Sequence, residues 1–292
     1  MRRFTFYILL IVVVFTAALM IGCGVNQTWK DKNKWPPDGL YFMQWDSYHG
    51  YFTDEVPYIQ LSLVHVCSES KANPVEPTKS YVLLSDQGEI VAESSDISLG
   101  SKGKQYSLYT LGLRLPKLNT GKYVIDKLQI VESKNQKSTY PIGCWVIEVR
   151  DGDKPIDMSL GKRTLASGIF DWYSAELKND SKSDVVIKNL DYQLVYNLHE
   201  TVLKTYKDFD MQTRLDDKPF LSSGETKTFL FEFSIEDNNQ QRPKFISLRP
   251  FLSYTIGDQP KLMVLPTAIY SHVAKSDEEI KQLITELHNS DR

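Results

Sequence analysis

Apolar and polar positions alternate along most of this chain once residue 39 is passed. The run Tyr58-Ile59-Gln60-Leu61-Ser62-Leu63-Val64 has the period of two expected of a half-buried strand. Residues 80–84 and 89–92 flank Asp86-Gln87-Gly88, a hairpin signal. Further strands are predicted over 105–115, over 122–131 behind the turn triplet Asn119-Thr120-Gly121, and over 139–149. The spacing is that of a β-sandwich, assigned to residues 39–152. Asp151-Gly152-Asp153-Lys154-Pro155 interrupts the pattern as a domain boundary does. A second set follows over 168–177, 185–198, 201–206, 226–235, 245–255 and 261–270, and predicts a second sandwich over 158–271. The period then changes. Ser276-Asp277-Glu278-Glu279 is a capping box. Ile280, Leu283, Ile284 and Leu287 fall on one helical face, so a short helix is predicted over 276–289. About three turns are marginal alone in water. The stripe is expected to dock on the second sandwich; the other reading is a helix that binds a partner.

Before residue 39 the pattern is of another kind. Arg2 and Arg3 precede residues 4–22, which carry no charge. A basic flank followed by an apolar run is what export machinery reads. The run also approaches the ~20 residues that span a bilayer, which leaves a single-pass N-terminal anchor as the alternative. Positive charge stays cytoplasmic, so the chain after residue 23 is expected outside. Met20-Ile21-Gly22-Cys23 resembles the lipobox of bacterial lipoproteins, with Gly22 and Cys23 at its two strictest positions and Met20 in place of the usual Leu. The resemblance implies a signal peptide over 1–22, a diacylglyceryl group on the Cys23 sulfur, and cleavage before Cys23. It places the exported protein on the outer face of the bacterial cytoplasmic membrane, held by lipid. Residues 23–38 are polar and aperiodic, and read as the lipidated cysteine with a flexible tether.

The second half is similar to exported bacterial immunoglobulin-like domains. The matching stretches are Lys178-Asn179-Asp180-Ser181 after an opening strand, Leu194-Val195-Tyr196-Asn197 in the middle, and Leu221-Ser222-Ser223-Gly224-Glu225 entering a late strand. Gly224 is expected to supply the turn backbone. The resemblance implies a sandwich and no activity. The expected fold class is therefore all-β: two tandem immunoglobulin-like β-sandwich domains with a short C-terminal α-helix.

Composition narrows the chemistry. The balance of 34 basic and 37 acidic residues gives nucleic acid no electrostatic foothold. With Cys23 lipidated, Cys67 and Cys144 remain. An exported protein can join such a pair as a disulfide, worth on the order of 4 kcal/mol for a loop this long. Two reduced, buried thiols are the alternative. His49, His65, His199, His272 and His288 lack the short spacing of a zinc signature. His65 and Cys67 supply two ligands where zinc wants three or four, so neither metal nor cofactor is expected. No G-x-S-x-G, H-E-x-x-H or P-loop occurs. Asp151, Asp153 and Asp157 offer calcium too few oxygens and read as a hydrophilic linker. One stretch keeps functional weight: of the thirteen residues 40–52, seven are Tyr, Phe, Trp or His. Within it Trp45, Tyr48 and Tyr51 are candidate ligand-contact aromatics, suited to a cell-wall glycan or a partner's pocket. Plain packing is the competing role.

These readings converge on a membrane-anchored bacterial lipoprotein, not an enzyme, with a binding or structural role at the cell envelope. Its expected partners are the bilayer, reached through Cys23, and a protein or cell-wall glycan. The alternatives are an accessory or sensory subunit of a membrane complex and, from another class, an envelope hydrolase.

Overall fold

The computed structural model describes residues 35–67, 78–161, 166–167, 172–194, 198–207, 211–215, 219–235, 245–271 and 276–290. The expected signal peptide and Cys23 lie outside the described residues. The first half runs β1 (Gly39–Phe42), β2 (Trp45–Phe52), β3 (Tyr58–Val66), β4 (Thr78–Ser85), β5 (Gly88–Val91), β6 (Ser94–Lys102), β7 (Tyr106–Arg114), β8 (Gly121–Glu132) and β9 (Lys137–Arg150). The second half runs β10 (Met158–Leu160), β11 (Ala166–Ser167), β12 (Trp172–Asn179), β13 (Val185–Asp191), β14 (Leu198–Tyr206), β15 (Phe220–Leu221) and β16 (Thr226–Ile235). It continues through β17 (Phe245–Arg249), β18 (Phe251–Ile256), β19 (Gln259–Val264) and β20 (Ala268–Ser271), and ends in helix α1 (Asp277–Ser290).

The fold is all-β, built of packed sheets with a short C-terminal helix. Three sheets have four strands: β1-β3-β7-β6, β10-β12-β16-β14 and β15-β13-β18-β19. The fourth has eight, in the order β11-β20-β17-β2-β9-β8-β4-β5. Alternation does not foretell that this sheet draws strands from both halves. The polar stretch at 151–157 therefore joins two halves that already share a ladder.

β2 lies in the middle of the shared sheet. β9 and β17 flank it, both parallel, with Tyr48 opposite Val146 on one side and Leu248 on the other. Parallel strands belong where both faces are covered. All eight residues of β2 are buried. Successive side chains point to opposite faces. On one face Trp45 and His49 pack against Trp145. On the other, Tyr48 and Phe52 join Val146, Tyr173, Phe229 and Phe251 in one apolar cluster. Aromatic rings on both parities of one strand are the sequence mark of this double burial.

A long hairpin delivers the second half into the shared sheet. Its base pairs β17 with β20, from Phe245↔Ser271 to Leu248↔Ala268. Its tip pairs β18 with β19 in a different sheet, from Phe251↔Val264 to Ile256↔Gln259. Between base and tip, residues 249–250 oppose residues 265–267, a two-against-three bulge. Pro250 and Pro266 stand in this bulge, where a missing N–H costs no ladder bond. Leu265 N–H still donates to the Pro250 carbonyl at 3.0 Å and keeps the crossing closed.

Asn179, wholly buried, organises the turn after β12. Its amide donates to the carbonyls of Ser183 and Leu221 at 2.8 and 2.9 Å, and its Oδ1 accepts from Ser181 N–H and Oγ. Gly224, at φ 76°, brings its own N–H to the Asn179 carbonyl. That left-handed backbone suits glycine.

Helix α1 meets both halves. Its stripe, Ile280, Leu283, Ile284 and Leu287, is buried as predicted, and Ile280 and Leu283 share a cavity wall with Phe245, Ile269 and Ser271 of the second half, while other contacts reach the first half. Tyr41 of β1 meets His288 edge-on at 6.1 Å, and Tyr106 of β7 donates to Asp277 at 2.9 Å. A period of 3.6 reveals that a face is buried and is silent on what buries it.

Gly50 of β2 lies directly against Phe251 of β18. A Cβ there would stand 2.6–3.0 Å from three atoms of the Phe251 ring, and Phe251 is itself fully buried. Gly50→Ala is expected to cost about 1–3 kcal/mol through overpacking. Gly50→Ala with Phe251→Leu should recover part of that loss. Urea midpoints of wild type and the two variants check it; equal stability of Gly50→Ala and wild type would contradict the tight approach.

Candidate functional site

The predicted ligand-contact aromatics are corrected by burial. Trp45, Tyr48 and Tyr51 are 5%, 0% and 4% exposed. Trp45 packs on Trp145 and Phe245, with ring centres 5.9 and 5.5 Å away. Tyr48 donates its hydroxyl to Glu148 at 2.9 Å, and its own ionisation is pushed up by burial and by that carboxylate. Tyr51 donates to the Tyr58 carbonyl at 2.9 Å and accepts from Tyr58 N–H. Side chains so enclosed have no face left for a glycan. Packing is their role, and Trp45 also touches a cavity.

The disulfide weighed for Cys67 and Cys144 is absent. Cys67 follows β3 in one sheet, and Cys144 sits on β9 in another, opposite Asp46. Burial pushes the Cys144 thiol up, and the Asp46 and Asp126 carboxylates push it further. That is the reverse of what a reactive thiolate needs.

A serine–histidine pair exists that sequence reading missed. His49 Nε2 lies 2.8 Å from Ser247 Oγ, and His49 Nδ1 lies 3.3 Å from the Tyr51 hydroxyl. Since the Tyr51 proton is committed to Tyr58, Nδ1 carries the imidazole proton and Nε2 accepts from Ser247. This is the geometry of nucleophile and base. Yet both residues are 3% exposed, at the centre of the shared sheet. Burial, aided by the Arg249 charge, lowers the His49 pKa to about 3. A substrate cannot reach the pair, and it serves to satisfy buried polar atoms. The 198 positions between the two residues explain why no local motif announces them.

Two arginines tie the halves together, one on each face of the shared sheet. Arg249 donates to the Gly50 carbonyl at 2.5 Å and to Glu55 at 2.7 Å, and lies 4.2 Å over the Tyr51 ring. Arg150 holds Glu148 and Asp191 at 2.7 Å each and lies 4.4 Å over the Phe251 ring. These charge-assisted contacts gain from partial burial.

The cavity with the strongest claim to function opens under helix α1, between strands of both halves. Its volume is about 430 Å³. Met43, Trp45, Leu108, Phe245 and Ile269 give it apolar walls, and Ile280 and Leu283 of α1 form one side. Gln60, Ser62, Ser101, Thr110 and Ser271 add neutral polar groups. None of the fourteen lining residues is charged, and none is His or Cys. The size falls among small-ligand sites. A second hollow, about 640 Å³, follows the linker from Asp151 to Asp157 and exposes Ile156. Asp157 there accepts the Tyr254 hydroxyl at 2.6 Å. Among the described residues no group of three His, Cys, Asp or Glu side chains converges for a metal. No helix among them is long and apolar enough to cross a membrane.

No protein-family model matches the chain, and no curated protein matches it. Among solved structures, it is similar to the adhesin InvE of Yersinia pseudotuberculosis at 10% identity and TM-score 0.21, over 78% of this chain and 58% of that one. The chain thus spans little more than half the length of that adhesin. It is similar to a protein of unknown function from Porphyromonas gingivalis at 10% identity and TM-score 0.21, covering 78% and 98% of the two chains. It is likewise similar to the C-terminal domain of the AgI/II polypeptide BspA of Streptococcus agalactiae, at 9% identity, 80% and 100% coverage and TM-score 0.21. At such scores these likenesses carry nothing about activity or partners.

The buried imidazole sets a pH dependence. Unfolded, His49 takes a proton near pH 6.5; folded, it does so near 3. Stability is therefore full above about 6.5 and falls as pH drops toward 3. Between pH 7 and 5.5 the loss from His49 is expected to be about 1 kcal/mol. His65, also lowered by partial burial, adds in the same direction. Urea unfolding of His49→Gln should show a correspondingly smaller drop over that window, and an unchanged drop would refute the assignment.

Proposed function

We propose that this chain is a bacterial lipoprotein, held at the envelope by lipid on Cys23, whose exported body binds or spaces and does no chemistry. The anchor is supported by Met20-Ile21-Gly22-Cys23 behind an uncharged run with a basic flank. Two acyl chains on one residue meet the two-signal requirement for lasting membrane attachment. The non-catalytic part rests on the cavity under α1: its fourteen lining side chains include no carboxylate, imidazole, amine or thiol. Nucleophilic catalysis by a hydroxyl needs an adjacent base, and the lining supplies no carboxylate, imidazole or amine; Tyr109 is its one ionisable side chain. Neutral walls with a few hydroxyls suit recognition instead.

Intact mass of the membrane-extracted protein tests the anchor. The expected chain begins at Cys23 and carries a diacylglyceryl group, while Cys23→Ala accumulates with residues 1–22 attached. A mature chain that keeps Met1 and an unmodified Cys23 would turn the uncharged run into a retained helix. Turnover of a hydrolase substrate panel, lost on Tyr109→Phe or Ser101→Ala, would overturn the non-catalytic reading.

A further inference from the structure

The sheet β1-β3-β7-β6 has two unlike faces. Side chains directly opposite in an antiparallel pair share a face, as do positions two apart on one strand. One face carries Ile59, Leu61, Leu63, Leu111 and Leu113, all wholly buried. The other carries Gln60 and Ser62 of β3, Leu108 and Thr110 of β7, and Ser101 of β6. Ser62 stands opposite Thr110, and Leu108 opposite Ser101. Hydroxyls at this period are the mark of a face made for water. All five residues nevertheless line the cavity under α1 and form its floor.

The rest of the lining is of the opposite character. Met43, Trp45, Phe245, Ile280 and Leu283 are each more than nine-tenths buried and give the cavity an apolar roof. Floor and roof do not match. Pressed together, they would set the Ser62 and Thr110 hydroxyls against hydrocarbon, and an unpaired buried hydroxyl is costly. Filled with water, the hollow of about 430 Å³ would leave its apolar roof wet. The indole N–H of Trp45 adds a buried donor that no protein group accepts, a condition that calls for an acceptor. Gln60 and Ser101 are exposed, so the floor reaches solvent and gives the hollow a mouth. No lining residue is charged, so an ion entering would give up its hydration with no counter-charge in return.

We propose that this hollow is a binding site for a small neutral amphiphile. Its hydrocarbon part lies against the roof, and its uncharged ester or hydroxyl head lies on the Ser62–Thr110 floor. Serine and threonine hydroxyls both donate and accept, so either kind of head can be held. The proposal names a ligand class for the binding role inferred above and rests on that reading. It also sets a rule of selection: a carboxylate on the same hydrocarbon chain finds no cation in the lining and is refused.

The test uses the full chain in phosphatidylcholine bilayer discs, with empty discs reporting how much probe the bilayer takes up. The probes are glyceryl monohexanoate, hexanoate and glycerol. Glyceryl monohexanoate is expected to slow amide exchange at 108–110 and 280–284. Hexanoate, which has the chain and a charge, and glycerol, which has the head alone, should each need a free concentration about tenfold higher or more. Ser101→Trp fills the mouth from an exposed position and should abolish the protection. Thr110→Val removes one floor hydroxyl and should weaken binding by about fivefold. Unfolding midpoints of both variants without probe should stay near wild type. Equal affinity for hexanoate, protection unmoved by Ser101→Trp, or no protection by any probe overturns the proposal. The ester also separates the two readings. Hexanoate released from the bound probe would overturn the non-catalytic reading and leave the ligand class standing, while absent protection without release would overturn the ligand class alone.

Discussion

The parallel pairing of β17 against β2 is the contact on which the architecture depends. It is a poor ladder in isolation, since parallel pairs are slightly weaker per residue and need cover on both faces. Here the cover is supplied by the two sandwiches themselves. Trp145 and its neighbours lie on one side, Tyr173, Phe229 and Phe251 on the other. Each half thus completes the other's core, and neither core closes without β2 in place. Pro250 and Pro266 let one hairpin belong to two sheets, and the bulge between them sets where the course turns.

Burying a strand on both faces forces polar groups inside as well. Asp46, Ser47, His49 and Ser247 are all nine-tenths buried or more. An unpaired buried polar atom costs more than a neutral hydrogen bond returns. The Ser247–His49–Tyr51–Tyr58 chain is one answer to that cost, and the Arg249 guanidinium, held by Glu55 and the Gly50 carbonyl, is another. A serine beside a histidine is thus a by-product of strand order in this protein. Its isolation from solvent separates it from the catalytic pairs it resembles in distance.

Much of this fold was legible because alternation is a local signal. The strand predicted over 226–235 is β16 to the residue, the Asp86-Gln87-Gly88 turn joins β4 to β5, and the Ile280–Leu287 stripe is buried. What local signals cannot carry was lost. β6 is serine-rich and exposed, so no apolar parity marks it. The course predicted over 245–255 divides at Pro250 because a second sheet claims its first half. Trp45, Tyr48 and Tyr51 drew attention as rings that contact a ligand. Their occurrence on both parities was the better clue, and it meant enclosure. The cavity under α1 draws on β2, β3, β6, β7, β17, β20 and the helix, and no stretch of sequence shows them meeting.

The separation of β2 from its two partners has a consequence in time. β9 begins 92 positions after β2 begins, and β17 begins 200 positions after it. Contacts of such range slow folding, because chain must be gathered before the ladder rewards it. A chain made from its N-terminus presents β2 early and β17 among its last strands. Through that interval an aromatic strand built for enclosure stands with one flank unfilled. Its hydrophobic faces are then open to wrong partners. Holding that strand in reserve until residue 249 has emerged is a demand the fold places on whatever accompanies the emerging chain.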